Sequence, residues 1–274
     1  MNAKSRPAAP HAPRPPRVAR ERLDVLLVER GLATGRDRAR ALVMAREVLV
    51  DGELATQPAK PTSIDAAIEV KTPPRFVSRG GEKLAHALDR TGVTVEGRRC
   101  LDVGASTGGF TDCLLQNGAA YVVAVDVGYG DFAAKLRDDP RIELHERTNA
   151  RALEPLDPPA DLVVMDVSFI SITTVLPAVV RSVAPGGDLL LMVKPQFEAG
   201  SEAVEKGGVV RDPVMHAGTV AKVMIAALDL GLRVRGIVRS PLLGPAGNRE
   251  FFLWARVPEH PLQPAADRAI EVPA

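Results

Sequence analysis

The stretch Leu101-Asp102-Val103-Gly104-Ala105-Ser106-Thr107-Gly108-Gly109-Phe110 decides the fold. Its apolar start reads as the end of a strand, Cys100–Val103. The glycines at 104, 108 and 109 mark a turn, and a helix continues from them through about Gln116. Outward from this turn the elements alternate. A helix over Gly80–Thr91 precedes it. Strands follow at Tyr121–Asp126, Ile142–His145 and Leu162–Asp166, with a short helix near Phe132–Leu136. A helix around Thr174–Val183 leads to the breaker Pro185-Gly186-Gly187 and the strand Asp188–Val193. A long helix, Pro213–Leu230, and two strands, Arg233–Arg239 and Phe251–Arg256, close the pattern. Such alternation predicts an α/β fold with a doubly wound sheet.

Three kinds of site could own the glycine turn. Gly104-Ala105-Ser106-Thr107-Gly108 matches the G-x-S-x-G elbow of hydrolases. A dinucleotide turn would need the order G-x-G-x-x-G, which is absent. The third owner is the nucleoside-binding turn of a class I methyltransferase, in which a second acid ends the next strand and holds the ribose hydroxyls. Asp126 stands at that strand end, 22 residues past Gly104, where a carboxylate can accept from a diol. A hydrolase has no use for it. The histidines that follow, His145, His216 and His260, sit in no recognisable catalytic loop. The expected cofactor is therefore S-adenosyl-L-methionine. Backbone around Gly104, Ser106, Thr107, Gly108, Gly109 and Phe110 would line its amino-acid end, and Asp126 its ribose. Asp102 would orient the loop or the amino group, or cap backbone amides.

Charged residues at strand ends narrow the chemistry. Asp166 closes Asp161-Leu162-Val163-Val164-Met165-Asp166, and Lys194 closes Leu189-Leu190-Leu191-Met192-Val193-Lys194. Glu250 opens Glu250-Phe251-Phe252-Leu253-Trp254, and Lys83 lies on the helix leading into the sheet. The carboxyl ends of parallel strands face the ligand crevice, so Asp166 and Lys194 are expected in one cleft beside the cofactor.

With these residues in place, the chain resembles the TlyA family, historically called hemolysins. Lys83, Asp166, Lys194 and Glu250 look like the Lys-Asp-Lys-Glu tetrad of ribose 2′-O-methyltransferases. Val77-Ser78-Arg79-Gly80-Gly81-Glu82-Lys83-Leu84, Asp166-Val167-Ser168-Phe169-Ile170-Ser171 and Val193-Lys194-Pro195-Gln196-Phe197-Glu198 carry the likeness, which spans roughly Arg22–Val257. It implies a Rossmann-like class I methyltransferase domain with a seven-stranded sheet. It also implies methylation of the ribose 2′-hydroxyl of a cytidine in ribosomal RNA, in the 23S and, in some members, the 16S molecule. A lysine, with its ordinary pKa near ~10.4, acts as a base only where its charged form is disfavoured. Lys83 and the sulfonium, both positive, would do this to Lys194, the expected general base. Asp166 would orient the amine, and Lys83 and Glu250 would hold the hydroxyl and a neighbouring phosphate. No metal is expected.

The region before the sheet has a different character. Residues 1–75 hold 14 basic and 9 acidic side chains, whereas the whole chain has 35 and 34, a hint of nucleic acid. Leu23, Leu26, Leu27 and Arg30 read as one helix stopped by Gly31. Thr34 can cap a second, Gly35–Arg46, with Ala39, Leu42 and Val43 on one face. Val48–Val50 then enters an Asp51-Gly52 hairpin turn, and Ile64 with Ile68–Val70 supplies another strand. This order resembles a small α+β S4-type RNA-binding domain, which implies that Arg36, Arg38, Arg40 and Arg46 grip RNA backbone. The boundaries drawn are a basic disordered arm at 1–20, the S4-type domain at 21–72, a linker at 73–78, the methyltransferase domain at 79–257 and a tail at 258–274. Phe76 stands where the linker pattern would carry tryptophan.

Other features fit this frame. Arg147-Thr148-Asn149-Ala150-Arg151 sits where the family meets adenine or RNA. Lys206, Arg211, Asn248 and Arg249 are candidates for phosphate contact, and Glu198–Arg211 for a lid. Phe251, Phe252 and Trp254 read as core. Cys100 and Cys113 are the two cysteines, without a His–Cys cluster, which suits a reducing compartment. With no apolar run of spanning length and no secretory signal at the start, a cytoplasmic location is expected, with ribosomal RNA or ribosomal subunits as partner and no membrane. Two competing functions remain: a catalytically silent ribosome-assembly factor, and a membrane-acting hemolysin.

Overall fold

A computed structural model describes residues 19–260 except 34, 72–74, 201, 203, 205, 206 and 245. The expected cap Thr34, Lys206, nearly all of the basic arm and residues 261–274 lie outside the described residues. The chain divides into two units, Met1–Pro73 and Pro74–Ala274.

In the first unit, β1 (Arg20–Arg22) leads into α1 (Leu23–Glu29) and α2 (Arg36–Met44), followed by β2 (Val48–Val50), β3 (Glu53–Leu54), β4 (Pro61–Ser63) and β5 (Ile68–Val70). The i, i+4 spacing of Leu23 and Leu27 on α1 faces Ala39, Leu42 and Val43 on α2, and together with Val48 and Ala55 they form the core. Asp51 and Gly52 both take positive φ, 51° and 81°, as a type I′ hairpin between β2 and β3 requires. One expectation is corrected. Ile64 does not share a strand with Ile68–Val70, because a serine-led turn intervenes: Ser63 accepts from Asp65 N at Oγ and from Ala66 N at its carbonyl. β4 pairs with β1 instead, and Ile64 is 47% exposed.

The second unit holds α3 (Arg79–Thr91), β6 (Arg99–Val103), α4 (Gly109–Gln116), β7 (Tyr121–Val125), α5 (Ala134–Arg137) and β8 (Ile142–His145). β9 (Ala160–Met165), α6 (Ile172–Val180), β10 (Val183–Val193), α7 (Pro195–Glu198), α8 (Pro213–Asp229), β11 (Arg233–Arg239) and β12 (Phe251–Arg256) complete it. The seven strands run in the order β11-β12-β10-β9-β6-β7-β8. β10, β9, β6, β7 and β8 are parallel, and β12 is antiparallel to both neighbours. One face packs on α3 and α4 through Leu84, Phe110 and Leu114; the other packs on α6 and α8 through Leu176 and Val223. Burial on both faces explains why the central strands are continuously apolar. The chain leaves β6 toward β7 and β8, then returns to β9 on the other side of β6. The sheet therefore has its switch point between β6 and β9, and its crevice lies at their carboxyl ends.

Two details differ from the sequence reading. Pro185-Gly186-Gly187 does not separate helix from strand but bulges within β10, where the register slips between Val183 and Asp188. Gly186 N donates to Val257 O, and Val257 N to Gly187 O, so the bulge stays paired. The expected linker residues also enter the second unit. Phe76 is 2% exposed against α3, Val77 N donates to Asp112 Oδ2 at 2.8 Å, and Ser78 caps α3.

Candidate active site

The glycine turn sits at the crevice. Gly104 has φ 87°, and a Cβ there would stand 2.7 Å from the carbonyl oxygen of Asp166, so the turn and the end of β9 approach as only glycine permits. Asp126 braces the turn, Ser106 N donating to its Oδ2, while Gly128 N, in the loop after β7, donates to its Oδ1, each at 2.7 Å. Asp102 lies beneath the turn and lines neither cleft. It is fully buried, accepts from Thr111 Oγ1 at 2.7 Å, and its Oδ1 has no hydrogen-bond partner. Burial pushes its carboxyl up to about 7, against the pull of the Thr111 hydroxyl.

Two clefts of about 500 Å³ each open from this turn and share Gly104, Ser106, Asp166 and Ser168. The first runs past Asp126, Gly128 and the loop Thr148–Arg151. The second runs past Ser78, Arg79, Lys83, Thr107, Gly109, Phe110 and Lys194. An elongated molecule could lie in one with its reactive end toward the other. The residues fit S-adenosylmethionine: a glycine-walled turn offers backbone, and a braced carboxylate retains lone pairs for a diol.

From the second cleft Lys194 reaches the shared wall: its Nζ stands 2.7 Å from Asp166 Oδ1 and donates to Ser168 Oγ at 2.7 Å. The carboxylate contact is one of charge, since its angle falls outside hydrogen-bond geometry. Lys83 Nζ is paired with Glu250 Oε2. Glu250 is 1% exposed and lines neither cleft, so it meets a ligand only through Lys83; this corrects the expectation that it touches the hydroxyl. Asn248 is likewise buried, its amide spanning Val210 N and Gly208 O, which removes it from the phosphate-contact candidates. Arg249 is exposed. Arg147 lies over the Tyr129 ring at 4.1 Å. Phe252 stacks on Phe110, Trp254 Nε1 donates to Asp188 Oδ1, and Phe251 packs on His216, so this aromatic run is framework. Both cysteines are buried, which pushes their thiols up to about 12.

Sequence reasoning gave no role to three cleft residues. Ser168 accepts the side-chain hydrogen bond of Lys194. Phe169 is 92% exposed with φ 64° and packs on Phe197 at 5.2 Å. Arg79 donates to Leu243 O. All three lie in the quoted motifs, but nothing in their identity shows which way they point.

In the first unit, Asp24 is fully buried and receives Arg22, Arg40 and Arg36 at 2.8, 3.2 and 3.6 Å. The Arg22 hydrogen bond holds its carboxyl far below the usual range, against the opposing effect of burial. Arg36 and Arg40 are thus brought together, with Arg22 added. Arg38 is exposed on the same helix, whereas Arg46 lies beyond it at φ 61° and is not part of the cluster.

Comparison with known proteins agrees with this architecture. Residues 76–257 match the model of the FtsJ-like methyltransferases, and residues 21–64 that of the S4 domain. The chain is 51% identical to the 16S/23S rRNA (cytidine-2′-O)-methyltransferase TlyA of Mycobacterium tuberculosis, over 86% of this chain and 90% of the relative. It is 37% identical to Hemolysin A of Brachyspira hyodysenteriae, over 84% and 97%. A solved structure described as a hemolysin from Streptococcus thermophilus superposes with a TM-score of 0.67 at 40% identity, over 89% of this chain and 90% of that one. Among the described residues no helix is long and apolar enough to cross a membrane.

Proposed function

The chain belongs to the FtsJ-like methyltransferase family and carries an S4 domain, and from that premise we propose that it methylates the ribose 2′-hydroxyl of a cytidine in ribosomal RNA, using S-adenosylmethionine. The 23S molecule is the first target and the 16S molecule the second. The observation that carries this reading is Lys194 in the second cleft, paired with Asp166 and Ser168, which line both clefts.

The cofactor would lie along Gly104–Gly109, with Phe110 behind the turn, Asp126 at the ribose and Asp102 supporting from below. When bound, it supplies an electrophilic methyl on a positive sulfur. The chain's own residues do the rest. Lys194 takes the proton of the 2′-hydroxyl, which requires the neutral amine, while Asp166 and Ser168 fix its direction. Lys83, held by Glu250, and Arg79 meet the phosphate flanking the target. Phe169 offers an aromatic face to a base lifted from its helix. Positioning the hydroxyl in line with the methyl supplies much of the acceleration. Arg22, Arg36 and Arg40 contribute affinity through RNA backbone.

Incubation with labelled S-adenosylmethionine and ribosomal subunits tests the reading, followed by mapping of the modified nucleotide. Label at a cytidine 2′-oxygen supports it. Subunit binding without label points to the assembly factor, and leakage of liposomes to a hemolysin; either result overturns it.

A further inference from the structure

We propose that Glu198, which lies outside both clefts, is a positioning residue that locks the Asp166–Ser171 loop onto Lys194. This rests on the methyltransferase reading above. Glu198 is buried, with 1% of its side chain exposed, in a position where a carboxylate is costly unless its lone pairs are used. Both oxygens are used on two consecutive residues at the end of that loop. Oε1 accepts from Ile172 N at 2.7 Å, and Oε2 accepts from Ser171 Oγ at 2.5 Å. Lys222 secures the other side, donating to the Glu198 carbonyl at 2.8 Å with its ammonium 3.6 Å from Oε2.

The geometry is that of a ladder between two strand-end segments. Lys194 and Glu198 are the ends of one segment, Lys194 just before the single turn α7 and Glu198 its last residue. Asp166 and Ile172 are the ends of the other. The first rung is Lys194 on Asp166 and Ser168; the second is Phe197 on Phe169, at 5.2 Å; the third is Glu198 on Ser171 and Ile172. The loop carries a bulky residue at positive φ, Phe169, a conformation that persists only where neighbours over-determine it. Only the first rung meets the reacting groups. The third sets the loop's far end and so the direction in which Asp166 and Ser168 present oxygen to Lys194 Nζ. The Ser171 hydroxyl donates to Glu198, which leaves its oxygen to accept from Thr173 N, so the same bond also fixes the start of α6.

The test pairs Glu198→Gln with Ser171→Ala, the milder change, which deletes a single hydroxyl of the rung. In each, kcat should fall about 10- to 100-fold, as expected when a reacting pair is displaced by a fraction of an ångström to an ångström. KM for ribosomal subunits and the S-adenosylmethionine Kd should stay within about threefold. Amide hydrogen exchange should rise over residues 166–172 but not over β6 and β7. Unchanged exchange in that loop would overturn the proposal whether or not the chain methylates RNA. So would a kcat within twofold of the parent in Ser171→Ala, or a parallel loss of kcat and cofactor affinity. Failure of the parent to label RNA would instead overturn the functional reading, while the exchange measurement would still judge the ladder.

Discussion

At the residue scale, the site works by surrounding ordinary side chains with partners that leave one direction free. Lys194 is nearly buried, with one carboxylate and one hydroxyl at 2.7 Å, and the rest of its ammonium faces the cleft. Lys194→Ala should lower methyl transfer about 10²–10⁴-fold, the usual cost of losing a positioned base, while cofactor and RNA binding persist. Lys194→Arg should do little better, because a guanidinium does not deprotonate near neutrality. Single-turnover rates under saturating cofactor would show this, and a near-parental rate would remove Lys194 from the proton's path. Asp126 has a double task, since the carboxylate proposed for the ribose also receives Ser106 N and Gly128 N. Asp126→Ala should weaken S-adenosylmethionine about 10- to 100-fold, in line with the loss of charged hydrogen bonds, and leave RNA affinity nearly unchanged. Calorimetry with unaltered cofactor affinity would refute that assignment.

At the element scale, α2 shows how one periodic pattern serves two ends. Ala39, Leu42 and Val43 bury against α1, which leaves Arg36 and Arg40, one turn apart, beside Asp24. One negative charge among three guanidiniums keeps the patch positive and orders it, so fewer side-chain rotamers remain to be frozen when a phosphate arrives. Changing Arg36 and Arg40 together to Ala should weaken rRNA binding. It should also reduce the slope of log K against log salt by about 0.7–0.9 per lost phosphate contact. A salt titration with unchanged slope would make α2 a solvated face. Element bounds were largely readable because glycine, proline and apolar period mark them, as at Gly31 just after α1. The bulge in β10 was not: Pro185 and the two glycines break local propensity, yet pairing with the residue after β12 keeps them in the sheet.

At the scale of the whole molecule, the second unit is a sheet whose crevice carries buried charge, and that charge links stability to pH. Burial holds the Asp102 carboxyl up at about 7, well above an unfolded aspartate at ~3.9. Between those values the folded chain keeps a proton that the unfolded chain releases, so stability falls as pH rises through the window. Asp102→Asn should remove that dependence, and its melting temperature should drop less than the parent's between pH 5 and pH 8. An equal drop in both would place the titration elsewhere. What the amino-acid sequence determined by itself was the α/β alternation, the glycine turn and the polar residues at strand ends. These are local patterns of period, breaker and apolar run that any chain with this order must express. It also named Lys83, Asp166, Lys194 and Glu250 as a set, through motif resemblance. Only the tertiary structure decided that Glu250 stands behind Lys83, that Asp102 lies under the turn, that Asp24 gathers three arginines, and that Glu198 holds the loop facing Lys194. The Lys83–Glu250 pair joins residues 167 positions apart in the chain, and all four depend on side-chain direction and burial. Local periodicity does not encode those quantities; they arise when the strands pair and the two faces of the sheet are covered.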